Sequence, residues 1–148
     1  MMSPLLIAED DENDVFFLRH AFGQAEITNP LHVARDGQEA IEYLAGEGKY
    51  SDRAQHPKPC LLILDLKMPR RNGVDVLKWK REQPQLDCLP VIVLSSSADQ
   101  DDIELAYALG ANAYVVKPGS IKKRTGLAMG IKTFWLEFNA PPNSFEMV

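Results

Sequence analysis

The run Cys60-Leu61-Leu62-Ile63-Leu64 is apolar at every position and stops at Asp65. Successive side chains of a strand point to opposite faces, so a run like this has no side left for water and must be covered above and below. It reads as the central strand of a parallel sheet with helices on both faces. Four other short apolar runs, Pro4 to Ala8, Leu31 to Ala34, Pro90 to Leu94 and Ala113 to Val116, alternate with segments of helical period. The expected fold class is α/β, a doubly wound five-stranded parallel sheet. Helix one places Val15, Leu18, Phe22 and Ala25 on one face. Helix two opens with a capping box of Asp36 and Glu39 and turns Ala40, Ile41 and Leu44 inward. Helix three carries Val74, Leu77 and Trp79, and helix four carries Ile103, Ala106 and Tyr107 before a terminating Gly110. Helix five has Leu127, Ile131, Phe134 and Phe138 on one stripe. The polar stretch 46–59 reads as a surface loop. Pro141-Pro142 cannot continue the last helix, so residues 1–138 are expected to form the domain and 139–148 a mobile tail.

A chain of 148 residues suits one such domain. A net charge of −5 argues against a nucleic-acid partner, which demands a basic face; the groups Lys78 to Arg81 and Lys122 to Arg124 read as solvated helix faces. No stretch has the length and apolarity of a membrane span, and the acidic cluster behind the first apolar run is wrong for a signal peptide. The protein is expected in the cytoplasm. Cys60 and Cys88 match no disulfide or metal spacing and read as reduced thiols. His20, His32 and His56 show no spacing that would gather them around a metal.

In a parallel α/β sheet all strands end on one edge, where ligands bind. Four polar clusters fall there: Glu9-Asp10-Asp11, Asp65, Ser95-Ser96-Ser97 and Lys117-Pro118. An ionised carboxylate at the mouth of an apolar core persists only with hydrogen bonds, a cation or a counter-charge. Glu9, Asp10 and Asp65 crowded in one cleft are unfavourable unless a cation sits among them or some of the acids stay protonated; hard oxygen ligands select magnesium, manganese or calcium, and Mg2+ is the expected cofactor. Lys117 supplies an ammonium opposite them and Ser95 a hydroxyl. These are the parts that stabilise a transferring phosphoryl group, with Asp65 able to act as nucleophile.

Glu9-Asp10, Asp65 with Met68-Pro69 and Gly73, Ser95, and Lys117-Pro118 stand in an order that resembles the receiver domain of two-component response regulators. The resemblance implies a flavodoxin-like (βα)5 fold with strand order 2-1-3-4-5. It implies Asp65 as phospho-acceptor, Asp10 and Glu9 as acids of the metal site, and Lys67 as donor of a backbone carbonyl to the metal. It also implies Ser95 as the switch hydroxyl, Ser96 as a backbone donor, Lys117 as the phosphate partner and Tyr114 as the aromatic switch. The loop before strand three, Phe134-Trp135-Leu136 and Pro141-Pro142 are similar to the single-domain regulators associated with phytochrome-type sensor kinases. The implied partner is a sensor histidine kinase or phosphotransfer protein, with homodimerisation through strand five and helix five and an exposed Trp135 at the interface. No DNA-binding or catalytic output domain is read in the sequence, so output is expected through binding a protein, passing the phosphoryl group onward, or acting as a sink. The chain departs from the family pattern at Gly119-Ser120 and in the glycines Gly126 and Gly130 of helix five.

Taken singly, each feature has a plainer reading. Asp11 and Asp14 read as capping or surface residues, and Ser97 with Gln100 reads as a helix cap. Tyr114 alone could be a half-buried strand aromatic. The rival function is a Mg2+-dependent phosphatase or hydrolase with an aspartate nucleophile. That chemistry usually needs a second aspartate two residues on, where this chain has Lys67.

Overall fold

Two-sided burial of the strands sets the architecture. In the computed structural model, which describes residues 2–142, five parallel strands pair in the order β2-β1-β3-β4-β5. They are β1 (Leu5–Ala8), β2 (Leu31–Ala34), β3 (Leu61–Leu64), β4 (Val91–Ser95) and β5 (Ala113–Val116). The helices between and after them are α1 (Glu12–Gln24), α2 (Gly37–Ala45), α3 (Gly73–Arg81), α4 (Gln100–Ala108) and α5 (Ile121–Gly130). β3 lies in the middle, in register with β1 at Ala8 and Leu64 and with β4 at Leu64 and Val93.

Alternation along the strands divides the core in two. Leu6, Ala8, Leu62, Leu64, Val91 and Val93 face α2, α3 and α4, where Ile41, Leu44, Val76, Leu77 and Ala106 meet them. Leu5, Ile7, Leu61, Ile63, Ile92 and Leu94 face α1 and α5, meeting Leu18, Phe22 and Ala128. Every residue of β3 is buried, and each such side chain contributes about 1.5–3 kcal/mol relative to exposure.

Polar side chains start the helices where the strands stop. Asp11, Asp36, Asn72, Asp99 and Ser120 each accept an amide hydrogen bond from the first turn of the helix that follows. Asp36 does cap α2, but the carboxylate of Glu39 returns to the Arg35 amide at 3.1 Å, so the expected box is displaced by one residue. The reciprocal box belongs to Asn72 and Asp75 of α3. Ser97 does not cap α4; its hydroxyl donates to Asp102 at 2.6 Å, and Asp99, one residue before the helix, takes the cap.

Three further expectations are corrected. The 46–59 stretch is not simply a surface loop: a 3-10 turn at Gly48–Tyr50 buries the Tyr50 ring in the core. The loop is fastened by Arg53 donating to the carbonyls of Leu44 (2.9 Å) and His56 (3.1 Å), and by Tyr43 donating to that of Pro57 (2.7 Å). Here His32 stacks on Tyr43 at 4.4 Å and meets His56 edge-on at 6.2 Å, a pairing no sequence spacing suggested. The stripe expected on helix five also breaks. From Ile131 to Phe138 the helix widens into a π-helical segment, shifting its phase. Trp135 and Leu136 pack on the core, while Phe134 and Phe138 are 54% and 75% exposed. Trp135 is therefore half-buried rather than exposed. Of the expected tail, residues 139–142 follow without regular structure and 143–148 lie outside the described residues.

Glycines separate by the space around them. A Cβ on Gly73 would stand 2.3 Å from the Asp65 carbonyl oxygen, whereas Gly126 on α5 has open space. Gly73→Ala is expected to cost about 1–3 kcal/mol by overpacking. Gly126→Ala is expected to stabilise by about 0.5–1 kcal/mol through helix propensity. Chemical denaturation of both variants checks the pair of signs.

The Asp36 carboxylate gives a pH test. Burial alone would raise its pKa, but Arg70 and the Glu39 amide hold it below the ordinary carboxylate range. Because the native pKa is depressed, the stabilisation is present above the unfolded value and is lost as pH falls through the native one. Below about pH 4, the acid unfolding curve of Asp36→Asn should be flatter than that of the parent. Parallel curves would show that this carboxylate carries no linkage.

Candidate functional site

Three polar or charged residues are buried among the described residues: Glu9 (2% exposed), Asp65 (7%) and Ser95 (1%). All three stand at the C-terminal ends of neighbouring strands. Glu9 follows β1, Asp65 follows β3, and Ser95 is the last residue of β4. The Glu9 amide donates to the Ala34 carbonyl and the Asp65 amide to the Ala8 carbonyl, so the sheet ladder runs on into the acidic residues and fixes their positions.

Carboxylate oxygens of Glu9, Asp10 and Asp65 lie within 4.8 Å of one another. Glu9 and Asp65 are buried and Asp10 is exposed at the rim. Such crowding is unfavourable without cations. Lys117 supplies one from beyond β5: its Nζ is 2.7 Å from Glu9 Oε1, 2.7 Å from Asp14 Oδ2 and 3.2 Å from Asp65 Oδ2. Its backbone is placed by the Lys117 amide, which donates a hydrogen bond of 2.8 Å to the Ser95 carbonyl.

The titration of the group follows from this packing. Burial pushes the Glu9 carboxyl up to about 7; Lys117 opposes the rise and the Asp65 carboxylate adds to it. Burial alone would weaken the hold of Lys117 on its proton, but pairing with Asp14, Glu9 and Asp65 raises it well above the ordinary lysine range. A divalent cation fits the acidic side of this cluster. The donors are hard carboxylate oxygens, and added positive charge would favour ionised Glu9.

The remaining expected residues line the rim. Ser95 Oγ accepts a hydrogen bond from the Ser97 amide at 3.2 Å, and Ser96 is exposed beside it. Lys67 is exposed on the loop after β3, its amide 3.4 Å from Asp65 Oδ1. Tyr114 is half-buried in β5 and donates its hydroxyl to the Ser97 carbonyl at 2.8 Å, tying this ring to the loop that follows Ser95. Thus Glu9, Asp10, Asp65 and Lys117 gather in one cluster, with Ser95, Ser96, Lys67 and Tyr114 on the elements around it.

Asp14 belongs to the cluster and the sequence reading missed it, assigning it to the surface. Asp11 does cap α1, but Asp14 pairs with Lys117. No spacing along the chain signals this: Asp14 lies in the first turn of α1, and it is recruited by Lys117 reaching it from beyond β5.

The family model for the response regulator receiver domain matches residues 5–125. The chain therefore belongs to the receiver-domain family of two-component response regulators, a family of signalling switches. It is 33% identical over 133 residues to the response regulator Rcp1 of Synechocystis sp., covering 90% of this chain and 88% of that one. A crystal structure of the Mn2+-bound form of Rcp1 has a TM-score of 0.84 and covers 95% of this chain and 99% of its own, at 32% identity. The phosphorylated cyanobacterial phytochrome response regulator RcpA has a TM-score of 0.87 at 32% identity, covering 96% of this chain and 99% of its own. RPA3017, described in red light signalling of R. palustris, reaches 0.90 at 33% identity, covering 95% and 99%. No helix among the described residues is long and apolar enough to cross a membrane.

If Asp14 is a working member of the cluster, Asp14→Asn lowers the pKa of Lys117. A heteronuclear NMR titration of the Lys117 side chain reads this directly. An unmoved titration would assign the 2.7 Å contact no electrostatic weight.

Proposed function

We propose that this protein is a stand-alone response regulator that accepts a phosphoryl group on Asp65 from the phosphohistidine of a sensor histidine kinase or phosphotransfer protein. The observation that carries this reading is the gathering of the buried acids Glu9 and Asp65 with Lys117 at the sheet edge. An Asp65 carboxylate oxygen attacks phosphorus, the P–N bond to the imidazole breaks, and an acyl phosphate forms. Glu9, Asp10, Asp65 and the carbonyl of Lys67 would hold Mg2+, in keeping with the Mn2+-bound form of Rcp1. When bound, the ion neutralises charge on the transferring phosphoryl oxygens. Lys117 pairs with one of those oxygens, Ser95 donates its hydroxyl to another, and the Ser96 amide donates as well.

The modification adds about −1.5 to −2 charge. Ser95 and Lys117 are drawn toward it, and Tyr114, bonded to the Ser97 carbonyl, passes the shift to the surface of α4 and β5. The likeness to RcpA and RPA3017 favours a phytochrome-type kinase as the source of the phosphoryl group. The exposed Val116 of β5 and the exposed Phe134 and Phe138 beyond α5 support a homodimer face there. On this reading the chain promotes its own phosphorylation and hydrolysis and acts on no separate substrate. A Mg2+-dependent hydrolase with Asp65 as nucleophile is the alternative, and the exposed Lys67 at the position of its usual second acid counts against it.

Acetyl phosphate with Mg2+ should add about 80 Da, one phosphoryl unit, to the intact protein. The adduct should be labile to hydroxylamine, fail to form when chelator is present from the start, and be absent in Asp65→Asn. Multiple turnover of p-nitrophenyl phosphate by the parent would favour the hydrolase instead.

A further inference from the structure

The loop 66–72, which leads from Asp65 to α3 and carries Lys67, is clamped from outside the site by the N-terminus of α2. We infer that Arg70 and Asp36 are positioning residues for divalent-cation binding, bracing this loop so that the metal-facing rim is already formed. The inference rests on the reading of Glu9, Asp10, Asp65 and the Lys67 carbonyl as the metal site.

Three contacts make the brace. The Arg70 guanidinium grips Asp36 side-on, Nε to Oδ2 at 2.9 Å and Nη2 to Oδ1 at 3.1 Å. The same Asp36 Oδ1 receives the Glu39 amide at 2.8 Å, so the carboxylate is itself held as the cap of α2. One residue along on each side, the Gly37 amide donates to the Arg71 carbonyl at 2.8 Å. The backbones approach so closely that a Cβ on Gly37 would stand 2.1 Å from that oxygen. Glycine is required there by contact, since α2 and the loop touch main chain to main chain.

The loop's own conformation shows that it is held. Arg70 has φ +62°, a left-handed backbone that is strained for a side-chain-bearing residue and persists only where its surroundings over-determine it. Downstream, the Gly73 amide closes on the Leu66 carbonyl at 2.9 Å, and the Asn72–Asp75 box fixes the entry to α3. α2 is in turn anchored through Glu39, whose carboxylate accepts from the Arg35 amide and, at 2.7 Å, from the hydroxyl of buried Tyr50. A continuous chain of contacts therefore runs from the 46–59 loop through Tyr50, Glu39, Asp36 and Arg70 to the loop of Lys67.

Magnitudes separate positioning from plain stability. Arg70 is 58% exposed, and an ion pair so open to solvent adds little to the global fold. Metal affinity depends on where the rim of this loop sits, so it reads the brace more directly than global stability does. Loss of a partner outside the ligand shell weakens a metal site by about tenfold at the low end of its usual range.

The test measures Mn2+ affinity of the full chain from the electron paramagnetic resonance signal of the free ion. Arg70→Gly removes the fork while relieving the left-handed φ, and Asp36→Asn keeps a side chain that caps helices well. Each is expected to weaken Mn2+ binding about tenfold, with Tm within about 2–4 °C of the parent. The double variant should be no weaker than either single one, because both remove the same brace. Arg70→Lys, which restores charge without the fork, should fall between. Variants that bind Mn2+ as tightly as the parent would overturn the brace while leaving the phospho-acceptor reading intact, since Asp65→Asn still tests that. A parent that neither binds Mn2+ nor takes a phosphoryl group would overturn the site reading and the brace with it.

Discussion

The structure turns on the desolvation of two carboxylates. Glu9 and Asp65 emerge from strands buried on both faces into a cleft with little water, where an isolated ionised acid is unstable by several kcal/mol. Lys117 offsets that penalty from beyond β5, the far strand of the sheet, with hydrogen bonds to both acids and to Asp14. One flexible ammonium thus answers to three carboxylates. A group so placed can move from one acceptor to another as charge at the site changes, without refolding anything around it.

The same arrangement explains why the sheet must be doubly wound. Parallel strands need crossovers, and because the order β2-β1-β3-β4-β5 reverses direction after β2, right-handed crossovers put helices on both faces, which the all-apolar β3 requires. Every strand then ends on one edge, and the acids, the hydroxyl and the lysine gather there from four strands. Helices cap themselves immediately afterwards, so Asp11, Asp36 and Asp99 are occupied by amides, leaving Glu9, Asp10 and Asp65 for other chemistry. Acids of the same kind a few residues apart do different work because of where the chain turns.

Much of this was legible in the residues. The strand positions follow from apolar runs, with ends differing by at most one residue, as at β3 and β4; the helices fall between them where helical period places them. The order of the site residues along the chain matched a known family. Less legible were features made by packing between distant segments. Asp14 reads as a surface acid until Lys117 is seen to reach it. Tyr50 reads as part of a polar loop until a 3-10 turn folds it inward. The π-helical segment at Ile131–Phe138 exchanged the faces of Trp135 and the phenylalanines, because a change of helical pitch leaves no trace in a pattern that assumes a constant one.

The sequence by itself determined the fold class, the central place of β3 and the set of residues at the strand ends, because periodicity and two-sided apolarity are local properties. Only the tertiary structure decided which charges pair. Lys117 contacts Glu9, Asp14 and Asp65, and Arg70 contacts Asp36, across separations of 34 to 108 residues. Charge pairing depends on distance in space and on the loss of water, and neither is set until the sheet has closed and the helices have covered it.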